Sequence, residues 1–370
     1  MVIILFLTAL FIIMKIVKEY YASNWDKRLS ASVRFGADNI NEGETGFIYE
    51  EIVNDKFLPL PIVNIKFELD KSIIYKESVR GIVSDKQYRS DVISVLPNRK
   101  LKRRFDVKYT KRGVYTIKTV DLYTPDPVSD YLRYENYDCN SVIYVYPSYS
   151  RHRDILAPFS RVMGQALKNK FIFEDPFEFK GIRNYTPLDP MKKINWGASA
   201  KTGELMVNNY FDTTSRHITI FLDVSNNSAW KRYDQLEECI RITRNLMEDF
   251  IKNQIPIEIV TNAIDYEDGN GITMESGLGI GILQANLRRL TRIDLAKEAV
   301  SMEEYFNNNE SDDDELCILL STDITDGLFS AYDRFLGNNE GEWIAPIMSP
   351  RDRKYFGGKI NITYLEVDRV

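Results

Sequence analysis

The chain has 370 residues, 44% of them hydrophobic and 12% aromatic, and a net charge of −6. Its length and apolar content allow more than one buried core, and its acidic balance excludes nonspecific nucleic-acid binding, which needs a basic face to replace condensed counterions. Cys139, Cys239 and Cys317 are odd in number and far apart, and His152 and His217 are the only histidines, so no disulfide framework, zinc knuckle or His-rich metal site is indicated.

Val2 to Met14 is an almost unbroken apolar run, VIILFLTALFIIM, extended past Lys15 by Ile16 and Val17. It reads as a membrane anchor over residues 1–22, with Lys15 snorkelling and Tyr20 and Tyr21 at the interface. A secretory signal peptide is the rival, but no basic segment precedes the run. Lys15, Lys18, Lys27 and Arg28 all follow it, which by the positive-inside tendency places the bulk of the chain in the cytoplasm, on a cell membrane.

From 30 to 147 the period changes. VNIKFELD, DVISVL, KRRFDVKY, GVYTIKTVDLY and SVIYVYP alternate apolar with polar residues and are rich in Val, Ile, Tyr and Phe, the pattern of strands with one buried face. Asn41-Glu42-Gly43, Pro97-Asn98, Arg112-Gly113 and Pro125-Asp126-Pro127 bound them as turns. Short strands at this spacing predict an antiparallel β-sandwich. Pro147 marks its end, and 148–216 is a connecting segment of mixed character.

Inside that segment, FKGIRNYTPLDPMKKINWGASAKTGELMVNN over 179–209 holds a density of charged and aromatic residues that an ordinary amphipathic element does not need. Arg183, Tyr185, Asp189, Ile194, Trp196, Ser199, Ala200, Leu205, Met206 and Val207 follow the order Arg-x-Tyr-x-x-Gly-Asp, Ile-x-Trp-x-x-Ser-Ala, Leu-Met-Val. This resembles the signature of the bacterial "domain of unknown function 58" family, with Leu188 where that family usually has Gly and Pro190 after the Asp. The resemblance implies that the sandwich is immunoglobulin-like, with Lys111-Arg112-Gly113-Val114-Tyr115 and Asp126-Pro127 matching two of its elements. It also implies a MoxR-type AAA ATPase as neighbour and partner. In functional terms Arg183, Lys192, Lys193 and Lys201 would make a basic and aromatic surface to hold an acidic partner, with Trp196 as its anchor; in structural terms Trp196 would pack on a sheet edge and Arg183 would pair with Asp189.

Over 217–370 strands and helices alternate. HITIFLDVS is a continuous apolar strand, 233–252 has helical spacing, and PIEIVTNA is the next buried strand. Helices over 277–290 and 295–306, the strand ELCILLS, a helix near 328–336 and the strands EWIAPIM and KINITYLEV follow, while the acidic run NNNESDDDE reads as a solvated loop. The order implies a mostly parallel sheet wrapped on both faces, with ligands at the carboxyl ends of its strands. Asp223-Val224-Ser225-Asn226-Asn227 and Ser321-Thr322-Asp323-Ile324-Thr325-Asp326-Gly327 end two of them. This pair resembles the metal-ion-dependent adhesion site of von Willebrand factor A-type domains. Asp223 and Ser225 take the first two positions, Asn227 stands for the third hydroxyl, and Asp323, with Asp326 as competitor, is the later acid. Such hard oxygen ligands admit Mg²⁺ or another divalent cation as cofactor; otherwise Asp223 accepts loop amides and caps a helix.

The expected fold class is therefore α+β and multidomain: an N-terminal membrane helix, an immunoglobulin-like β-sandwich, and a doubly wound α/β domain of von Willebrand factor A type. The expected function is a non-enzymatic, membrane-anchored scaffold or adaptor that binds a protein partner, an AAA ATPase, through a degenerate adhesion site. An envelope adhesin-like module is the alternative, and a metal-dependent hydrolase a weaker one. No Gly-x-Ser-x-Gly elbow or phosphate-binding Gly-x-x-x-x-Gly-Lys-Ser/Thr loop is present.

Overall fold

A computed structural model describes residues 2–76, 86–125, 132–152, 158–164, 174–186, 189, 191–212, 218–226, 232–312 and 315–367. The chain divides into two compact units, Met1–Ser148 and Tyr149–Val370.

The first unit opens with helix α1 (Val2–Asn24). Large apolar side chains along its first turns, Ile3 to Val17, are exposed, whereas its end docks on the sandwich: Tyr21 and Trp25 are buried in that core, and the Tyr21 hydroxyl lies 3.1 Å from Thr124 Oγ1. Among the described residues no helix is long and apolar enough to cross a membrane. This overturns the expected N-terminal anchor, and the cell-membrane location with a cytoplasmic bulk falls with it. The uninterrupted run Val2–Met14 rises only about 20 Å at about 1.5 Å per residue, against a hydrocarbon core of about 30 Å. Beyond it, Lys15, Lys18 and Glu19 interrupt the apolar surface, and the last turn is committed to protein contacts.

Two sheets follow. One has the order β1 (Leu29–Phe35), β3 (Thr45–Asn54), β7 (Arg99–Tyr109), β5 (Ile73–Tyr75); the other has β2 (Asn39–Asn41), β9 (Leu132–Tyr146), β8 (Gly113–Pro125), β4 (Leu60–Asp70), β6 (Lys86–Val95). All neighbours are antiparallel except β2 with β9. Burial alternates as the pleat requires, with Leu29, Ala31, Val33 and Phe35 inward along β1. The inward rows of both sheets, including Ile48, Ile52, Ile65, Val107, Tyr109 and Ile117, share one core. One charged network ties the sheets together. Arg103 on β7 grips Glu50 on β3 with two hydrogen bonds of 2.7 and 2.9 Å and lies 3.0 Å from Asp91 on β6. Asp91 also accepts from Arg89 at 2.7 Å, and the Arg89 guanidinium rests 3.7 Å from the Phe105 ring centre.

In the second unit the chain is helical at 158–164 (α2), then forms the two-stranded antiparallel ribbon β10 (Glu174–Asn184) and β11 (Met206–Asp212), which encloses helix α3 (Trp196–Thr202). A five-stranded sheet follows, in the order β13 (Ile257–Thr261), β12 (Ile218–Leu222), β14 (Leu316–Leu320), β15 (Gly341–Ile347), β16 (Ile360–Glu366), with every neighbouring pair parallel. β12, β14 and β15 are buried at every residue, which is why they read as continuous apolar runs. Helices α4 (Tyr233–Lys252), α5 (Ile280–Arg292), α6 (Met302–Asn308) and α7 (Asp326–Leu336) connect the strands. Phe221, Phe306, Tyr332, Phe335 and Trp343 form an aromatic cluster between the sheet and α6 and α7. The helix expected over 295–306 begins only at Met302, because the Ser301 hydroxyl accepts the Glu303 N–H and caps it there.

The expected fold class is corrected in part: the β-sandwich stands, as two sheets sharing one core, whereas among the described residues no helix is long and apolar enough to cross a membrane, and strand exceeds helix, so the chain is a β-rich protein in two units. The second unit is characterised by its own five parallel strands, and the A-type assignment is not retained.

Candidate functional site

The register of the parallel strands builds the site. Leu222 is level with Leu320 on one side and Thr261 on the other, so the next residues, Asp223, Ser321 and Asn262, meet at the carboxyl edge of three adjacent strands. The Asp223 carboxylate is 1% exposed and bonded at both oxygens. Its Oδ1 accepts from the Ser225 N–H (3.0 Å), the Ser225 hydroxyl (2.7 Å) and Asn262 Nδ2 (2.7 Å), and its Oδ2 accepts from the Ser321 hydroxyl (2.6 Å). Asn262 in turn accepts the Val224 N–H at 2.9 Å, and Ser321 Oγ accepts the Asp323 N–H at 3.0 Å. The carboxylate is thus the hub that holds three loops in one arrangement.

A second acid stands beside it. Burial, and then the charge of Asp223, push the Asp323 carboxyl above the usual aspartate range; Glu303 adds to this, while Arg232 and Lys354 oppose it. Arg232 Nη1 donates to the Thr322 carbonyl at 2.6 Å and so ties the start of α4 to the same loop. Thr325 caps α7 by accepting the Leu328 N–H. Gly327 leaves room for Glu303, since a Cβ there would stand 2.8 Å from Glu303 Oε2. Ser225 and Ser321 donate their protons to Asp223, which turns their lone pairs away from it, an arrangement of oxygen acceptors beside two acids that suits a hard cation.

The structure brings Asp223, Ser225 and Asp323 together at this edge. Asn227 lies outside the described residues. Asp326 sits in the first turn of α7, 4.0 Å from Lys354 Nζ. Ser321 and Asn262, which hold Asp223 in place, were not singled out by sequence reasoning. Their signal is that each directly follows a largely apolar strand, as Asp223 does. Among the described residues no group of three or more His, Cys, Asp and Glu side chains is placed to hold a metal by itself; a cation here would rely on hydroxyl oxygens.

The signature segment forms a separate hydrogen-bonded unit. Arg183 grips Asp189 with two bonds of 2.7 and 2.6 Å, and Asp189 also accepts the Thr186 N–H and hydroxyl. Those contacts, the Arg183 hydrogen bond first, hold the Asp189 carboxyl well below the usual range. Asn195 caps α3 by accepting the Ala198 N–H, and Tyr185, half-buried, donates its N–H to the Leu205 carbonyl. Ser199 links helix to ribbon: its hydroxyl donates to the Asn195 carbonyl at 2.8 Å and accepts the Met206 N–H at 2.9 Å. Ser199→Ala should cost about 1–2 kcal/mol, one hydrogen bond plus an amide left without its acceptor. Faster hydrogen exchange at the Met206 amide would register it; unchanged exchange would show the link to be dispensable. Trp196 does not pack on a sheet edge but is 66% exposed. Leu188 and Pro190 lie outside the described residues, as do Asp126-Pro127.

No family model matches the chain. Over 155 residues it is 19% identical to the uncharacterized protein YeaD of Bacillus subtilis, a match covering 42% of this chain and 37% of that protein, so the chain spans little more than a third of the curated relative's length. Solved structures similar to part of the chain include the CARDB domain of the PF1109 protein from Pyrococcus furiosus, at 11% identity and TM-score 0.20 over 30% of this chain and 86% of that one. A non-cellulosomal cohesin from Archaeoglobus fulgidus is similar at 8% identity and TM-score 0.22 over 31% of this chain and 91% of that one. Likeness at this level leaves the reading of the chain to its own residues.

Proposed function

We propose that the chain is a non-enzymatic scaffold or adaptor that binds a protein partner at the carboxyl edge of its parallel sheet, through a divalent cation held by Asp223, Ser225, Ser321 and Asp323. The observation that carries this reading is the buried Asp223 carboxylate, which fixes two serine hydroxyls beside a second acid, Asp323, whose ionisation is disfavoured by burial and then by the charge of Asp223. A cation would relieve that repulsion, and a partner carboxylate would complete its coordination. Ser225 and Ser321 are buried and bonded to a carboxylate, which suits holding a ligand better than turning one over. The resemblance of 179–209 to the "domain of unknown function 58" signature supports a MoxR-type AAA ATPase as the partner.

The test is a calorimetric titration of the full chain with Mg²⁺ and Mn²⁺, followed by binding of a MoxR-type ATPase from the same organism with cation or chelator. The expected results are saturable cation binding that weakens at least tenfold in Asp323→Asn, and ATPase binding lost with chelator. Absence of cation binding both with and without the ATPase would overturn the bridge, and cation binding without any ATPase binding would overturn the choice of partner.

A further inference from the structure

The segment 179–209 carries five basic residues, Lys180, Arg183, Lys192, Lys193 and Lys201, against two acidic ones, Asp189 and Glu204, a local charge of +3 in a chain of −6. The described part of this unit also leaves four large apolar side chains in water: Ile182 (44% exposed), Met191 (72%), Trp196 (66%) and Leu205 (46%). Lys192, next to Met191, and Lys201, on the same helix as Trp196, are exposed as well. The frame beneath is fixed by the Asn195 cap, the Ser199 link, the Ile194–Val207 bridge and the Arg183–Asp189 pair. Exposed tryptophan beside cations on a rigid support has the composition of an interface centre, and its preorganisation lowers the ordering cost of binding.

We propose that this surface docks an acidic peptide segment of a partner protein, its apolar side chains against Trp196 and Met191 and its carboxylates toward Lys192 and Lys201. Charge complementarity selects the occupant. A uniformly anionic membrane would meet Asp189 and Glu204 on the same segment and an Arg183 already paired, and each basic residue near such a surface contributes only about 1 kcal/mol. A peptide can place its acids opposite the lysines alone. The surface shares no residue with the cluster at the carboxyl edge of the sheet, and the proposed docking uses no cation.

The experiment is selection of a randomised peptide library on the immobilised full chain, with titration of the selected peptides against Trp196→Ala, Lys192→Glu and Asp323→Asn. Acid-rich peptides bearing an aromatic or aliphatic residue are expected. Their affinity should fall at least tenfold in Trp196→Ala and in Lys192→Glu, weaken with added salt, and stay unchanged in Asp323→Asn. Hydrogen exchange at the Met206 amide checks that each variant keeps the frame. The proposal is overturned if no peptide is enriched, if the selected peptides show no excess of acid, if both surface variants bind them normally, or if phosphatidylserine vesicles bind the chain and the peptides do not compete.

Discussion

Asp223→Ala should destabilise the Tyr149–Val370 unit by about 3–5 kcal/mol, because it removes a buried charged acceptor and strands its donors. The Ser225 N–H and hydroxyl, Asn262 Nδ2 and the Ser321 hydroxyl all end on this one carboxylate, in a place water does not reach. Ser225 and Ser321 can turn their hydroxyls elsewhere, but the Ser225 amide is fixed by the backbone. Asp223→Asn keeps one acceptor oxygen and should lose about half as much, since only the Ser321 contact is replaced by an opposed N–H. Hydrogen exchange of the β12 and β14 amides in increasing urea would measure both. A loss under about 1 kcal/mol for the alanine variant would mean that the three loops hold themselves and that Asp223 is no hub. The outcome also bears on function, because a carboxylate essential to the fold cannot be tested for cation binding by deletion; Asp323, at the rim of the same loops, is the position for that.

The sequence shows strands more readily than it shows the encounters between them. Ile218–Leu222 and Leu316–Leu320 announce themselves because burial on both faces leaves no polar residue within ITIFL or LCILL except Thr219 and Cys317. That Asp223 meets Ser321 and Asn262 depends on strand register and neighbour order, and a lone Ser or Asn after an apolar run is also what any loop would contain. The N-terminal helix misleads for the opposite reason. Apolar count alone invites a membrane, whereas the fate of its last turn is decided by Tyr21 and Trp25, whose burial in the sandwich depends on residues a hundred positions away, such as Thr124. In the signature segment the residue order gives no hint that Ser199 is a link, and it leaves Trp196 open between a surface anchor and a packed side chain. A serine and a tryptophan three residues apart fit a packed helix equally well.

Glu50→Ala should destabilise the sandwich by about 3–5 kcal/mol, while Glu50→Gln should cost far less and gain on the native protein as pH rises. Glu50 is 1% exposed and bonded twice by Arg103, yet burial outweighs that partner and raises its carboxyl above the ordinary range. Alanine removes side-chain volume from the interior and leaves Arg103 to Asp91 alone, with Arg89 competing for the same carboxylate. Glutamine keeps the shape and an acceptor oxygen without a charge to desolvate. The sign follows from proton linkage: a carboxyl whose folded pKa is raised binds more protons folded than unfolded, so its contribution is complete below the unfolded value of about 4.3 and is lost as pH climbs through the folded value. The stability difference between native protein and Glu50→Gln, measured by hydrogen exchange of β3 and β7 amides from pH 4 upward, should therefore shrink with rising pH. If the gap widens instead, attraction to Arg103 exceeds the burial cost, and the network would be a source of stability in the neutral range and not a means of fixing how β3 and β7 meet β6.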